Sequence, residues 1–472
     1  MDEQLRKIHE ASMNLLENVG VKFHCSDILN LLESKGIKIS GSTAFFTRGQ
    51  ILEWISKAPS SFQIHARNDK FNMLIGGDHS EYISANSGFP LIADAHGNSR
   101  LAMYDDYLNF LKLVHESQFF KINGGVMVIP ADLKPNEMYP LMLYTTLIHS
   151  DKCIFGGLGG FDETNLIMDI LGLAFGGKER LQEAPRIITI ISPLSPLQFD
   201  KTMLDTLKIY AQNRQPIIVA PAVMAGSTGP VTLAGTIALA NAECLAGIAV
   251  AQMVQEGTPV VYGSASSGVD MRSGGFTIGT PDSALCVAFC ARLARAYGLP
   301  SRGGGTLNDA KSISVQAGYE SMMVMLTSGQ EKINFILHSA GSLDSYRAMS
   351  YEKFIVDLEI ISMVDRYVKG LKIDEETLAI DVIKQVGPGG EFLTHEHTFE
   401  HFREGLWASE ISLQGVVKGE DPNEKLLSNI RQKRDAMLQK YKRPQFPEHS
   451  RKQISSLLRD RGFNVNLIES LI

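Results

Sequence analysis

From about residue 119 onward the chain alternates short apolar runs with longer amphipathic segments. The runs occupy residues 120–129, 153–158, 186–191, 216–220, 259–263, 300–304, 334–338 and 381–386. Each is short and, with the sixth weakest by composition, apolar or β-branched, the pattern of a strand buried on both faces. Helical periodicity fills the intervals near 136–149, 163–176, 199–213, 232–255, 281–297, 312–330 and 350–369. Four inner runs begin with or follow a proline, which suits a strand start because proline has no N–H to give. Eight such units predict an α/β protein, a TIM (β/α)8 barrel in preference to an open doubly wound sheet.

The flanks read differently. Residues 1–118 are expected to form an N-terminal extension packed on the barrel, with helices near 3–18, 26–35, 48–57 and 104–117 and a β-rich stretch at 60–102. The barrel is expected over 119–403. Residues 404–472 are expected to form a C-terminal helical extension, with helices near 422–441 and 448–461. No low-complexity linker separates these parts, so they read as a lid or an oligomer layer and not as independent domains.

Composition narrows the function classes. The 472 residues are 44% hydrophobic and 21% charged, ordinary for a globular protein. A net charge of -7 argues against nucleic acid as the main partner, and no polybasic membrane anchor is present. The apolar helix expected at 232–254 carries Asn241, Glu243 and Gln252, so it reads as a packed helix and not a membrane span. Five scattered cysteines without a Cys-x-x-Cys pair fit a reducing cytoplasm. The N-terminus has no apolar signal region, and a cytoplasmic location is expected.

The densest chemical signal is residues 302–311, Arg-Gly-Gly-Gly-Thr-Leu-Asn-Asp-Ala-Lys, between a strand and a helix. The C-terminal ends of barrel strands are where such folds keep their chemistry. Leu307 is expected to be exposed there, with Asp309 as a helix N-cap. Small residues dominate the expected strand ends, which predicts a wide, deep mouth. His338 ends an apolar strand and is a candidate acid, base or anion donor. Phe89, Phe155, Tyr262, Tyr346, Phe392 and Trp407 are candidates to line the mouth, since aromatic faces attract cations by about 0.5–2 kcal/mol per ring. Backbone N–H groups near Gly304 and Gly305 are candidate carboxylate donors, and Glu391 a source of negative potential. His395, His397 and His401 have metal-like spacing but no evident Cys or carboxylate partner, so no metal site is assigned.

Several segments together carry a family resemblance. Thr306–Lys311 followed by Gln316-Ala317-Gly318-Tyr319-Glu320, Pro193–Leu197, Gly229–Thr236, Asn241-Ala242-Glu243, Tyr262-Gly263-Ser264, Gly298-Leu299-Pro300 and Glu375–Ala379 resemble the trimethylamine methyltransferase superfamily, in order over nearly the whole chain. The resemblance implies a TIM barrel that passes a methyl group from an amine to the Co(I) corrinoid of a separate small protein. At the position of Leu307 the trimethylamine enzymes carry pyrrolysine. Leucine implies the non-pyrrolysine branch, whose members demethylate quaternary amines such as glycine betaine, proline betaine, carnitine and γ-butyrobetaine.

A quaternary nitrogen has no lone pair to offer an imine, and its leaving group is already a neutral amine. The remaining task is positioning, worth up to about 7–11 kcal/mol. The resemblance therefore implies a betaine:corrinoid methyltransferase with no tightly bound cofactor of its own and a cognate corrinoid protein as partner; a homo-oligomer is expected from the helical additions. Leu307, Gly304, Gly305, Asn308, His338, Phe89, Phe155, Tyr262, Tyr346 and Phe392 are its candidate substrate contacts. The rival readings are a betaine-binding protein without catalysis and a trimethylamine enzyme that has lost its special residue.

Overall fold

The computed structural model describes residues 1–469, the side chains of Glu404 and Leu467 excepted. The last three residues of the expected C-terminal extension lie outside the described residues. At the centre stands an eight-stranded parallel sheet. In chain order its strands are β1 (Glu81–Tyr82), β2 (Ile122–Gly124), β3 (Cys153–Phe155), β4 (Ile187–Ile191), β5 (Ile217–Val219), β6 (Val260–Gly263), β7 (Ser301–Gly304) and β8 (Phe335–Leu337). Their order is β1-β8-β7-β6-β5-β4-β3-β2. A parallel bridge between Tyr82 and Phe120 closes the ring. Beside this seam, Lys121 Nζ meets the Glu81 carboxylate at 2.7 Å.

Each strand is followed by its crossover helix: α1 (Tyr104–Glu116), α2 (Met138–His149), α3 (Gly160–Phe175), α4 (Lys201–Gln212), α5 (Leu233–Val254), α6 (Pro281–Ala296), α7 (Val315–Gln330) and α8 (Tyr351–Lys369). The architecture is the expected (β/α)8 barrel, but its start is not. The run at 381–386 is not a strand. It lies in a helix, Ile380–Val386, with no buried residue. The place of the missing strand is taken by Glu81–Tyr82. Two residues are too few to show a period, whereas Val382, Ile383 and Val386 mimic a β-branched run. The barrel therefore begins at Glu81 and not after residue 118, and its last helix ends at Lys369, short of the expected 403.

The barrel interior is filled by Ile122, Phe155, Ile188, Ile218, Val261 and Phe335. One end is plugged by an antiparallel hairpin, Ser61–Ile64 with Met73–Gly76. Its Phe62, Ile64, Met73 and Ile75 join the same cluster. Hydrogen bonds tie the plug to the strand starts. The His65 N–H donates to the Pro185 carbonyl at 2.9 Å, just ahead of β4. Asn334, just ahead of β8, donates through Nδ2 to the carbonyls of Gly77 and His79 at 2.9 and 2.8 Å.

The flanking helices cover apolar crossover helices. α5 is apolar on every side, and a helix of that kind must be enclosed. The helices Glu3–Asn14 and Arg48–Ile55 pack on it, and Ser12 Oγ both donates to the Ala238 carbonyl at 2.8 Å and accepts from Asn241 Nδ2 at 2.8 Å. The helix Pro422–Lys440 packs on α8 and α1, and Glu448–Asp460 packs on α3. The helix expected to begin at Asp309 begins instead at Val315, capped by the Ser314 hydroxyl.

Candidate functional site

The loops after β1, β7 and β8 converge at the strand ends. His338 follows β8 with φ of 61°, and Asp344, Ser345 and Tyr346 have φ of 54°, 51° and 71°. A non-glycine residue with positive φ costs free energy and persists only where its surroundings fix it. Half of the eight such residues described lie in this one segment. The segment between Thr306 and Lys311 supplies the fixing. Asp344 N–H donates to the Ala310 carbonyl at 2.9 Å and Ser345 N–H to the Asn308 carbonyl at 3.3 Å. Ser345 Oγ donates to Asp309 at 2.6 Å.

That lacing presents an aromatic group. The Tyr346 ring lies 4.8 Å from the His338 ring, 6.2 Å from Phe89 and 6.5 Å from Phe276. Phe89 also meets the His338 ring edge-on at 6.3 Å. Burial pushes the Tyr346 phenol up to about 12, so it stays protonated. Leu307 packs with Ile278 and Val324, against Tyr346 and Phe276. It is 4% exposed, so the expectation of an exposed leucine is corrected. It backs the aromatic group at the strand ends.

His338 is buried. Its Nδ1 accepts the Asn86 N–H at 3.2 Å, which leaves the proton on Nε2, 3.2 Å from Ser87 Oγ. Burial, and then the charge of Arg302, hold its pKa well below 6.5. It is a neutral donor and not a cation.

Arg302 is the residue the sequence reading passed over. On β7 it pairs in register with Phe335, whose side chain is part of the barrel interior, so it points inward as well. It is 2% exposed. Its Nη1 donates to the Ser264 carbonyl at 2.6 Å, and its Nε has no partner among the described residues. A guanidinium carries five N–H donors, and a buried charge without a counter-ion is costly. The signal was available: a charged residue at an inward position of a strand whose four residues are all buried.

The other expected contacts divide. Asn308 is fully buried and donates to the Ser342 carbonyl at 2.8 Å; it braces the loop. Asp309 accepts from Ile278 N–H and Gly279 N–H at 2.8 and 3.1 Å, so it anchors the loop carrying Phe276 and is not a helix cap. The Gly305 N–H is spent on the Leu337 carbonyl at 2.7 Å and the Thr306 N–H on the His338 carbonyl at 2.9 Å. Those amides are not carboxylate donors. A Cβ on Gly305 would lie 2.6 Å from Ser339 Cα, and one on Gly304 would collide with Leu307 Cδ1. The small residues admit neighbouring loops instead of opening a wide mouth.

Five expected residues lie elsewhere. Phe155 is barrel core, 5.9 Å from Phe335. Tyr262 faces outward and donates to Asn241 Oδ1 on α5 at 2.8 Å. Glu391 and Phe392 are exposed, beyond α8. Neither follows a barrel strand, because the segment that was expected to lead into them is the helix Ile380–Val386. Trp407 donates to Ser362 Oγ of α8 at 2.9 Å and is likewise away from the rings. His395 caps the helix Glu396–Gly405. Among the described residues no group of three or more His, Cys, Asp and Glu side chains is placed to hold a metal ion.

The site thus joins aromatic faces, suited to a cation, to an unneutralised guanidinium, suited to a carboxylate. Comparison with known proteins gives this geometry a context. The glycine betaine methyltransferase of Desulfitobacterium hafniense is 43% identical over 411 residues, 87% of this chain and 86% of that protein. The proline betaine:corrinoid methyltransferase of Eubacterium limosum is 29% identical over 86% of this chain and 84% of its own length. The hydroxylamine complex of MtmB, a monomethylamine methyltransferase, superposes with a TM-score of 0.51 at 12% identity, covering 92% of this chain and 94% of that one; this likeness shows the barrel fold alone. The trimethylamine methyltransferase (MTTB) family matches residues 1–463, and the chain belongs to that family.

Proposed function

We propose that this chain moves a methyl group from a betaine, glycine betaine first, to the Co(I) corrinoid of a partner protein. The observation that carries the reading is the placement of Arg302 and the Tyr346, Phe89 and Phe276 rings at one end of one barrel. A zwitterion with a quaternary ammonium and a carboxylate matches both halves. The rings take the trimethylammonium, Arg302 takes the carboxylate, and the neutral His338 Nε2–H with Ser87 can donate a further hydrogen bond. In the displacement the cobalt electron pair forms the Co–C bond while the C–N pair withdraws onto nitrogen. The amine that leaves is neutral, so no residue need give or take a proton. The chain's contribution is to hold one methyl group outward along the line of attack.

Glycine betaine is preferred because the glycines at the strand ends are filled by neighbouring side chains, which favours a small donor. The 43% identity to a glycine betaine methyltransferase supports the same choice. The corrinoid travels with the partner and is a substrate here. Five free, buried thiols suit a cytoplasmic setting.

The test combines purified chain, a reduced cognate corrinoid protein and an activating system with glycine betaine, proline betaine, carnitine and trimethylamine in turn. Methyl-cobalt absorbance is expected with glycine betaine. Tight betaine binding without absorbance would leave a binding protein, and turnover of trimethylamine alone would overturn the argument from Leu307.

A further inference from the structure

Residues 371–406 leave the barrel after α8 and form three short helices, Glu375–Leu378, Ile380–Val386 and Glu396–Gly405. None has a buried residue among those described. Helices of this length are marginal in water unless one face is packed. Yet the segment exposes ten large apolar side chains, among them Leu371, Ile373, Leu393, Phe399 and Leu406, each at least 74% exposed. Monomeric proteins rarely show apolar surface so concentrated. The same segment carries eight carboxylates against three Lys and Arg.

On the rim of the strand starts, a cavity of about 980 Å³ has the complementary character. Arg67, Arg186, Arg443 and Arg451 line it, against Asp69 and Glu448, with Phe175 and Phe446 among its apolar walls. Arg67 donates only to carbonyls, those of Leu147, Ser150 and Gln445, at 2.7–2.9 Å. Arg186 lies 5.0 Å over the Phe175 ring, and its Nε has no partner among the described residues. The chain as a whole is negative, so this cluster runs against its average.

We propose that residues 371–406 are an arm that docks on the arginine-lined groove of a second copy of this chain. The arm brings apolar groups and negative charge; the groove brings aromatic walls and positive charge. Two copies can exchange arms reciprocally, which closes the assembly as a two-fold dimer. The groove lies at the plugged end, so the exchange leaves the strand ends free. The inference does not rest on the identity of the methyl donor.

Sedimentation velocity of the full-length protein tests it. A dimer is expected at micromolar concentration. Leu393→Glu with Phe399→Glu should give monomers of unchanged circular dichroism, since both side chains are exposed. Arg451→Glu should raise the dissociation constant by about tenfold, a change of about 1.4 kcal/mol, and Glu396→Arg with Glu400→Arg should restore it. Because all five native cysteines are buried, Phe399→Cys mixed with Arg451→Cys should cross-link between chains. A monomeric parent protein, or a dimer indifferent to both sets of changes, overturns the proposal. So do arm variants that leave sedimentation unchanged but weaken binding of the corrinoid protein, because the arm would then belong to that partner.

Discussion

The Tyr346 ring sits 4.8 Å from the His338 ring, tilted at 51°, and both residues hold positive φ. Two strained residues in ring contact at the end of a parallel barrel mark where the fold has traded stability for geometry. If Tyr346 forms a wall for the ammonium group, its ring matters more than its hydroxyl. Tyr346→Phe should leave KM for glycine betaine nearly unchanged. Tyr346→Leu should raise KM by roughly 2- to 30-fold, the equivalent of about 0.5–2 kcal/mol for a lost ring contact. Steady-state kinetics with both variants checks this, and a Phe variant as impaired as the Leu variant would shift the role to the hydroxyl.

Arg302 gives the sharpest substitution. Removing a charge-assisted hydrogen bond costs about 1.5–3 kcal/mol, so Arg302→Met should raise KM for glycine betaine by roughly 10- to 100-fold. Arg302→Lys should recover part of this, since lysine keeps the charge but not the planar fork. An amine lacking the carboxylate, such as tetramethylammonium, should bind the Met variant no worse than the parent. Equal losses for both ligands would assign Arg302 to packing alone.

The plan of the barrel was readable because most strands and all eight crossover helices have the length and period their environments require, and Ser301–Gly304, poor in apolar residues, was found by its spacing between helices. The first strand was not, since Glu81–Tyr82 is too short to carry a pattern. Within the site, His338, Phe89 and Tyr346 could be picked out from strand-end position and ring chemistry. Tyr262 could not be placed, because side chains alternate along a strand and a shift of one position reverses the face: Val261 points into the barrel and Tyr262 out to α5. Glu391 and Phe392 were assigned to the mouth through a strand that does not exist. Arg302 stood in the most conspicuous segment of the chain, but its importance depends on register, which only the fold supplies.

Burial of neutral His338 predicts a pH dependence of stability. Its folded pKa lies well below 6.5, so below that pH the unfolded chain binds the extra proton and the folded chain does not. Stability from this group is constant above about pH 6.5 and falls with further acidification by up to about 1.4 kcal/mol per pH unit. His115 and His149, whose pKa values burial brings down to about 4, act in the same direction. Urea unfolding across that window should therefore show a steep slope, and His338→Asn should reduce it by the equivalent of one proton. An unchanged slope in the variant would mean that His338 is protonated in the folded protein.

Leu307 closes the back of the ring group in contact with Ile278 and Val324. Leu307→Ala should cost about 2–5 kcal/mol, the usual range for an emptied core leucine, while Leu307→Met should cost less than about 1.5 kcal/mol. Denaturant unfolding measures both. Loss of turnover in Leu307→Ala that exceeds the loss of folded protein would show that the leucine also sets the position of Tyr346.

The hairpin wedged into the strand starts, with Phe62, Ile64, Met73 and Ile75 in the barrel core, stoppers that end of the barrel. For the proposed transfer this leaves the strand ends for donor and methyl acceptor alike: the amine is then expected to be seated before the cobalt face descends, and the demethylated product to wait until it lifts. Initial-rate kinetics should then show an ordered sequence of arrivals, with excess corrinoid protein inhibiting competitively against free betaine.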